Sequence, residues 1–358
     1  MTKPIAITMG DPAGIGPEII AKAFREAPEV TAGCLVVGDV ACIRAGARLT
    51  AEFGRIQLPV AVIEAPGELA GVPPGCIPVL QPGAASEPVT LGRISAHAGR
   101  IAGECVLWAT DAALRGDVAA IVTAPIHKEA LAAAGAPHCR FPGHTEMLQA
   151  RAAGYLGKSI NDVPVRMMLA NHALRTVLVS IHMSLRDAIN AVTVPRILET
   201  LHVTHKALAA VLGRAPRIAV AGLNPHAGEG GLFGREEIEI IAPALELARA
   251  QGLDVHGPFA PDTIFMRARE RPGELREFDV VTAMYHDQGL IPVKYLGVED
   301  GVNVTLGLPF VRTSPDHGTA FDIAGTGRAD ASSLIEAIRM ARTLASASLR
   351  AGAGTHAS

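Results

Sequence analysis

The sequence of 358 residues predicts an α/β protein built as two α/β/α lobes. Apolar runs of five to eight residues alternate with helix-like segments along most of the chain, which is the order that a doubly wound sheet requires. The runs are continuously apolar, as expected of parallel strands that helices cover on both faces. The length suits about two domains of roughly 150 residues each.

The predicted elements follow one another in a regular order. The strands are PIAITM, CLVVGD, VAAIVTAP, VRMMLA, RTVLVSI, RIAVAGL and DVVTAMY. The helices are PEIIAKAFREA, SAHAGRIAGECVLWATDAALR, VPRILETLHVTHKALAAVL, GREEIEIIAPALELARAQG and SSLIEAIRMARTLASASLR. The segment 60–90 is rich in Pro and Gly and predicts irregular or hairpin structure, and the tail AGAGTHAS predicts disorder.

The position of the last helix predicts how the lobes divide the chain. This helix, over 332–350, follows a Gly-rich loop, and we expect it to pack back on the first lobe. The first lobe is therefore predicted to comprise 1–145 with 305–358, and the second to comprise 146–304.

The composition excludes several classes of protein. Hydrophobic residues make up 49% of the chain and charged residues 19%, which is typical of a packed globular protein. The net charge is −3 with no block of like charge, so nucleic acid and membrane surfaces are not expected partners. The five scattered cysteines favour a reducing cytoplasm over a disulfide scaffold. The N-terminal apolar run is too short for a signal peptide, and no stretch approaches a membrane span.

Three histidines follow three predicted strands. His182 lies in SIHMSLRD after TVLVSI, His226 lies in NPHAGEGG after RIAVAGL, and His286 lies in YHDQGL after DVVTAMY. Open α/β sheets build their sites at the C-terminal ends of strands. A single histidine is more often structural than ligating, but three at one topological position suit a metal ion. The sequence therefore predicts a metal-dependent enzyme.

Residues suited to an anion stand in two further segments. Lys128 follows VAAIVTAP, and His144 and Thr145 stand where a helix begins in FPGHTEML, a position that favours negative charge. Thr145 would also serve as a plain helix cap.

Further candidates lie between Tyr285 and Gly327, where Lys294, Asn303 and Arg312 stand among apolar and Gly-rich stretches. That setting is unusual for solvated surface charges, and an arginine can hold two carboxylate or phosphate oxygens.

The first loop, MGDPAGIGPEII, joins the first strand to the first helix. It is similar to a dinucleotide-binding turn but does not match G-x-G-x-x-G. It is either a tight turn that needs glycine or a loop that contacts a ligand.

Together these motifs resemble the PdxA family, the 4-hydroxythreonine-4-phosphate dehydrogenases. The resemblance runs nearly end to end, through MGDPAGIGPE, TAPIHK, PGHTE, HMSLRD, GLNPHAGEGG, YHDQG, KYLG and GVNVTLGLPFVRTSPDHGTA. It implies the fold of the isocitrate and isopropylmalate dehydrogenases, with the active site in the interlobe cleft of a homodimer. It also implies metal- and NAD-dependent oxidation, with decarboxylation, of 4-phosphohydroxy-L-threonine to 3-amino-2-oxopropyl phosphate in pyridoxal phosphate biosynthesis.

The resemblance also implies roles for particular residues. The set that binds a divalent cation across the family's dimer corresponds here to His182, His226 and His286. The set that contacts the phosphorylated substrate corresponds to His144, Thr145, Lys294, Asn303 and Arg312. The segment HGTAFDIAGTG resembles the adenosine-binding loop of isopropylmalate dehydrogenases, which assigns cofactor contacts to His317, Gly318 and Asp322. A carboxylate facing the ribose favours NAD over NADP.

Several alternatives stay open at this level. The candidates for the general acid/base are Asp287, Asp262 and Lys128, and the metal is Zn, Co, Mn or Mg. The segments TAPIHKEAL and IHMSLRDAI are also similar to paralogues that oxidise 4-phospho-D-threonate, 4-phospho-D-erythronate or a cis-dihydrodiol carboxylate. A non-redox enzyme similar to phosphate acyltransferases would share the lobes and the cations but would not need HGTAFDIAGTG.

Overall fold

The structure, a computed structural model, describes residues 3–354 apart from 52–55, 85–86, 272, 274–275 and 298. The chain divides into two compact units. The first unit comprises Met1–Val163 and Leu308–Ala345, and the second comprises Pro164–Gly307 and Ser346–Ser358.

Twelve strands lie in the described residues, and all seven predicted strands are among them. Their bounds are β1 Ile5–Thr8, β2 Cys34–Val37, β3 Val60–Ile63, β4 Ile77–Leu80, β5 Ala120–Thr123, β6 Arg166–Ala170, β7 Arg175–Leu178, β8 Ile218–Ala221, β9 Val255–Phe259, β10 Val280–Ala283, β11 Val302–Leu306 and β12 Val311–Pro315.

The helices connect these strands. Their bounds are α1 Gly16–Glu26, α2 Pro28–Thr31, α3 Val40–Leu49, α4 Ala96–Arg115, α5 Lys128–Ala133, α6 His144–Leu156, α7 Leu185–Ala191, α8 Val194–Leu212, α9 Ala242–Ala250, α10 Ile264–Ala268, α11 His286–Tyr295 and α12 Ser332–Gly354. Short 3₁₀ turns cover Pro66–Gly71, His138–Arg140 and Ile160–Asp162, a turn of mainly left-handed backbone covers Pro225–Gly231, and a π-helical turn covers Glu237–Ile241.

The strands of the first unit are parallel and lie in the order β3-β4-β2-β1-β5-β12. From β1 the chain winds outward to β2 and later returns to the other side of β1 as β5. Because such crossovers are right-handed, this reversal places helices on both faces of the sheet, as predicted. The reversal also leaves a crevice at the C-terminal ends of β1 and β5, where doubly wound sheets bind ligands.

The strands of the second unit lie in the order β11-β6-β7-β10-β8-β9. β7, β10, β8 and β9 run parallel, whereas β6 pairs antiparallel with both β7 and β11. The predicted parallel sheet is therefore confirmed for most strands, and a hairpin between β6 and β7 changes the direction at one edge.

Burial of the apolar runs explains why they form central strands. Every residue of β1, β2, β5, β8 and β10 is buried. Ile7, Val36 and Ile121 have no exposed surface at all. Burying one such side chain stabilises the fold by about 1.5–3 kcal/mol.

Of the two alternatives predicted for 60–90, irregular or hairpin structure, the hairpin is wrong. β3 and β4 pair in parallel, with Val60 opposite Ile77. Parallel neighbours need a long connection, which the segment 64–76 and its 3₁₀ turn provide. The prolines and glycines of this segment form the connection and do not form a tight turn.

Two helices differ from their predicted form. The fourth predicted helix divides into the π-helical turn and α9, because Pro243 lacks the N–H that would bond to Glu239 in a continuous α-helix. α12 continues to Gly354 and so includes the start of the tail that was predicted to be disordered. The rest of that tail, 355–358, lies outside the described residues.

Two expectations from the composition can be compared with the structure. All five cysteines are free. Within the described part of the chain, no helix combines the length and apolarity that crossing a membrane requires.

Candidate functional site

Three neighbouring strands of the second unit deliver the predicted metal ligands to one edge of the sheet. His182 follows β7, His286 follows β10 and His226 follows β8, and these strands are parallel neighbours. We call this group the histidine edge. The rings of His182 and His286 lie 5.7 Å apart between centroids. Two ligands of one ion can have that separation, since metal–nitrogen bonds are about 2.0–2.1 Å.

His226 lies at the same edge but does not close the set. Among the residues that the structure describes, the ring nitrogens of the three histidines do not all lie within 4.8 Å of one another. One chain therefore brings the rings of two predicted ligands together without gathering all three within that distance.

The backbone at two of these histidines is strained. His182 has a φ of 45° and His226 a φ of 52°. The left-handed conformation continues from His226 through Gly230 and forms one left-handed turn. It costs an L-residue about 1–2 kcal/mol, and such strain clusters at functional sites.

Hydrogen bonds tie the three strand ends together. Ser180, two residues before His182, donates its hydroxyl to the carbonyl oxygen of Met284 at 2.9 Å. The Gln288 side chain accepts from the Met284 amide at 2.6 Å and donates to the Gly222 carbonyl at 2.7 Å. Sequence analysis did not select Ser180 or Gln288, although each is a polar residue beside a histidine in a largely buried segment.

Two of the acid/base candidates lie at the histidine edge. Asp287 accepts a hydrogen bond from Nδ1 of His286 at 2.7 Å, which leaves Nε2 of that ring for an ion. Asp262 is exposed and follows β9, the parallel neighbour of β8. Lys128, the third candidate, lies in the first unit at the start of α5.

Two predicted substrate residues lie elsewhere in the second unit. Asn303 of β11 stands opposite Leu169, which stands opposite Thr176, two residues before the end of β7. Asn303 is therefore level with a position roughly 7 Å before the end of β7, after which His182 follows. Lys294 lies near the end of α11, roughly 12 Å along the helix from His286. Closeness in sequence therefore does not bring either residue to the histidine edge within this unit.

The first unit gathers the other predicted anion-binding residues around Arg312. This side chain is buried on β12 and donates to the Thr123 hydroxyl, at 2.6 Å from its closer nitrogen. Burial lowers the pKa of Arg312 to about 10, and the nearby Glu146 carboxylate acts to raise it. The guanidinium therefore stays charged at neutral pH.

His144 is the neutral member of this group. Its Nε2 atom is shielded from solvent and has no hydrogen-bond partner. Burial, together with the positive charge of Arg312, lowers the pKa of His144 well below its usual value. A neutral imidazole here accepts or donates one hydrogen bond without adding charge.

The start of α6 completes what we call the anion cluster. Gly143 precedes the helix, so no side chain caps the first N–H groups, and Thr145 does not serve as the cap. A side-chain carbon built on Gly143 would lie 3.9 Å from the Lys128 side chain, which places that lysine beside the helix start. The structure therefore brings together the four predicted residues Lys128, His144, Thr145 and Arg312.

The predicted cofactor segment is fixed to α1. The Ile15 amide donates to the Thr319 carbonyl at 3.0 Å, and Glu18 accepts from the Ala329 amide at 2.8 Å. Asp322 and Gly318 are exposed, and open space surrounds the position of a side chain at Gly318. His317 differs, because its Nε2 atom is shielded from solvent. Asp322 and Gly318 are therefore open to a bound molecule, and His317, like His144, keeps a shielded ring nitrogen without a hydrogen-bond partner.

The first loop meets the cofactor segment at the crevice beside β1 and β5. Gly10 is required there, because a side-chain carbon would lie 2.4 Å from the Pro125 carbonyl oxygen. Asp11 is buried, and one of its carboxylate oxygens has no hydrogen-bond partner. The pKa of Asp11 is raised by that burial. The His127 ring stacks on Phe321 with 4.8 Å between centroids. The requirement for glycine in the first loop is therefore confirmed, its contact with a ligand stays a prediction, and Asp11 was not among the predicted residues.

Comparison with known proteins finds relatives across nearly the whole chain. Residues 31–341 match the protein family described as "Pyridoxal phosphate biosynthetic protein PdxA". The chain is 51% identical over 344 residues to a 4-hydroxythreonine-4-phosphate dehydrogenase of Beijerinckia indica, covering 95% of each chain. It is 47% identical over 345 residues to a D-threonate 4-phosphate dehydrogenase of Salmonella typhimurium, covering 96% of this chain and 99% of the relative. The crystal structure of a 4-hydroxythreonine-4-phosphate dehydrogenase from Klebsiella pneumoniae matches with a TM-score of 0.82 at 43% identity, covering 96% and 100% of the two chains.

Proposed function

The chain belongs to the PdxA family, and from this membership we propose that it oxidises 4-phosphohydroxy-L-threonine to 3-amino-2-oxopropyl phosphate in pyridoxal phosphate biosynthesis. It is a dehydrogenase that acts on a CH–OH group. The proposal adds NAD as the oxidant, a divalent metal ion and decarboxylation of the oxidised product. The free cysteines support a cytoplasmic location.

The observation that carries the proposed substrate class is the anion cluster. It combines a buried guanidinium, a neutral imidazole and uncapped helix N–H groups. An arginine and a helix N-terminus both favour phosphate, and Lys128 adds a second positive charge. We assign the phosphate end of the substrate to Arg312, His144 and Thr145. Lys294 and Asn303 stay predicted substrate contacts.

The histidine edge fits a divalent cation by its donor chemistry. Three imidazoles leave the charge of an ion uncancelled, and Asp287 orients one of them as carboxylates do beside metal-bound histidines. His182, His226 and His286 would hold the ion, which as a Lewis acid lowers the pKa of a bound alcohol. Imidazole ligands suit Zn, Co and Mn better than Mg.

The proton from the substrate hydroxyl needs an acceptor on the protein. Asp287 is already engaged by His286, so we assign it an orienting role. Asp262 at the same edge would take the proton, whereas Lys128, whose positive charge lies beside the anion cluster, would serve only as a general acid. Asp322 and Gly318 would hold the adenosine end of NAD, which accepts the hydride.

A second copy of the chain would complete the metal site. The three histidines do not close a ligand set within one chain, and exposed apolar side chains follow each of them within nine residues. They are Met183, Leu185, Ile189, Leu232, Phe233, Ile291 and Tyr295. Exposed apolar clusters of this kind mark interaction surfaces, and a homodimer would cover them. We expect Leu185→Glu with Ile291→Glu to produce monomers in sedimentation experiments, and an unchanged dimer would contradict this interface.

A second candidate substrate is 4-phospho-D-threonate. The 47% identity to the D-threonate 4-phosphate dehydrogenase is close to the 51% identity to the biosynthetic relative. Both substrates carry a phosphate, so the anion cluster serves either one.

The test measures NADH formation by the purified protein with Zn, Co, Mn or Mg. The substrates are 4-phosphohydroxy-L-threonine, 4-phospho-D-threonate, 4-phospho-D-erythronate and a cis-dihydrodiol carboxylate. We expect the highest kcat/KM with the first. A higher kcat/KM with the second would assign the chain to the D-threonate enzymes. Failure of all four substrates would contradict the proposed oxidation.

A further inference from the structure

The left-handed turn that carries His226 depends on a buried carboxylate outside it. Six consecutive residues, His226–Gly231, have positive φ, and three of them carry side chains. L-residues disfavour this conformation, so contacts from elsewhere must hold it. The Glu237 side chain, at the start of the π-helical turn, lies against Gly228 in this segment.

Glu237 binds the residues that lead into the turn. One carboxylate oxygen accepts from the Leu223 amide at 2.7 Å and from the Asn224 amide at 2.8 Å. The other accepts from the Asn224 side-chain amide at 2.9 Å. The side chain is only 3% exposed, so these bonds compete little with water.

The same carboxylate also touches the middle of the turn. A side-chain carbon on Gly228 would lie 2.7 Å from one carboxylate oxygen, and one on Gly222 would lie 2.9 Å from the other. Glycine at both positions lets the backbone close around Glu237. The carboxylate therefore sets the path of the chain before and within the turn.

Contacts continue from this carboxylate to the other histidines. Gly222, packed against Glu237, accepts the Gln288 side-chain hydrogen bond, and Gln288 also holds Met284 just before His286. Ser180 joins the same Met284 to the strand that leads to His182. A shift of the Glu237 carboxylate would thus alter the spacing between His226 and the other two ligands.

We propose that Glu237 is a positioning residue that holds the left-handed turn so that His226 can bind the metal ion. This inference rests on the proposed metal site. It predicts that removing the carboxylate weakens metal binding without removing any ligand.

The experiment compares Glu237→Ala and Glu237→Gln with the control Glu239→Gln. Glu239 lies in the same π-helical turn, but its carboxylate is exposed and pairs with Arg235. Calorimetry would measure Co²⁺ binding to the metal-depleted proteins, with His226→Ala as the reference for a lost ligand. Hydrogen exchange of the Leu223 and Asn224 amides would be followed in the same metal-free samples.

We expect Glu237→Ala to lower Co²⁺ affinity by roughly 10- to 100-fold, as loss of an outer partner of a metal ligand does. Glu237→Gln keeps one acceptor oxygen and should recover part of that loss, and Glu239→Gln should bind as the unaltered protein does. The exchange of both amides should accelerate in Glu237→Ala, while NAD binding should stay unchanged if the first unit is intact.

Two results would overturn the inference. If amide exchange accelerated in Glu237→Ala while its Co²⁺ affinity stayed within twofold of the unaltered protein, Glu237 would only stabilise the loop. Unchanged exchange in Glu237→Ala would show that it does not hold the turn at all. A different result, Co²⁺ affinity unaltered in His226→Ala, would refute the proposed metal site, while the exchange measurement still decides whether Glu237 holds the loop.

Discussion

The two units present their candidate ligand-binding groups by opposite means. In the first unit, Arg312 is buried on a strand and His144 begins a long helix, so ordinary packing fixes both. In the second unit, His182 and His226 are exposed on left-handed backbone that other side chains must hold. Regular elements thus supply the anion cluster directly, whereas the histidine edge depends on particular hydrogen bonds as well as on its strands.

The largest expected effect comes from removing an exposed ligand. His226→Ala should lower metal-dependent NADH formation by roughly 1000-fold, because the Lewis acid contributes several kcal/mol to the reaction. The assay is made after chelation and repletion with metal. The control is His202→Ala, which removes an exposed histidine of α8 that pairs with Gln251. Full activity in the His226 variant would refute the three-histidine site.

The next effect tests whether the anion cluster works independently of the histidine edge. Arg312→Met should lower kcat/KM by on the order of 100-fold, mainly through KM, because a charged hydrogen bond to substrate is lost. Co²⁺ affinity should not change. The control Arg140→Met removes an exposed arginine four residues before α6 and should have little effect on kcat/KM. If Co²⁺ affinity in the Arg312 variant fell as much as kcat/KM, the anion cluster would not be independent of the histidine edge.

A smaller effect tests how the half-buried ring of His286 is oriented. Asp287→Asn should weaken Co²⁺ binding by roughly 10- to 100-fold, since the carboxylate fixes the ring that binds the ion. Asp254→Asn is a matched control, because Asp254 makes the same kind of pair with His256, at 2.6 Å. Equal affinities in the two variants would remove Asp287 from the proposed site.

The smallest effect concerns stability and pH. The pKa of His144 is lowered in the folded state, so the unfolded chain binds the proton more readily. The stability that the neutral ring contributes is fully present above about pH 6.5 and is lost as pH falls below it, by at most about 1.4 kcal/mol per pH unit. Urea unfolding between pH 7.5 and 5.5 should show a shallower pH dependence for His144→Gln. Parallel curves would show that His144 is not the buried neutral group.

The strands that the sequence predicts are largely apolar runs, because a continuous apolar run becomes a strand buried on both faces. The continuous apolar runs of β1, β5 and β10 are central strands in the structure. β9 was missed because its sequence, VHGPF, contains a glycine and a proline, and it lies at the edge of its unit's strand order. β12 was missed because a buried arginine interrupts its apolar pattern.

The predictable part of the candidate site is similarly limited. The order of strands and loops placed three histidines at one edge, because parallel strands end together. It could not predict left-handed backbone at Ala227 and Glu229, since neither residue type favours it. That conformation is held by Glu237, whose position depends on a π-helical turn that the helical pattern did not predict.

The division of the chain also sets an order of synthesis. A ribosome adds roughly 5–20 residues per second, and Pro164–Gly307 is made before Leu308–Ala345. All three histidines, together with Glu237 and Gln288, can therefore leave the exit tunnel while β5 still lacks β12 and Arg312. During that interval β5 is paired with β1 on one side only, and the anion cluster of the first unit cannot form until Arg312 has emerged.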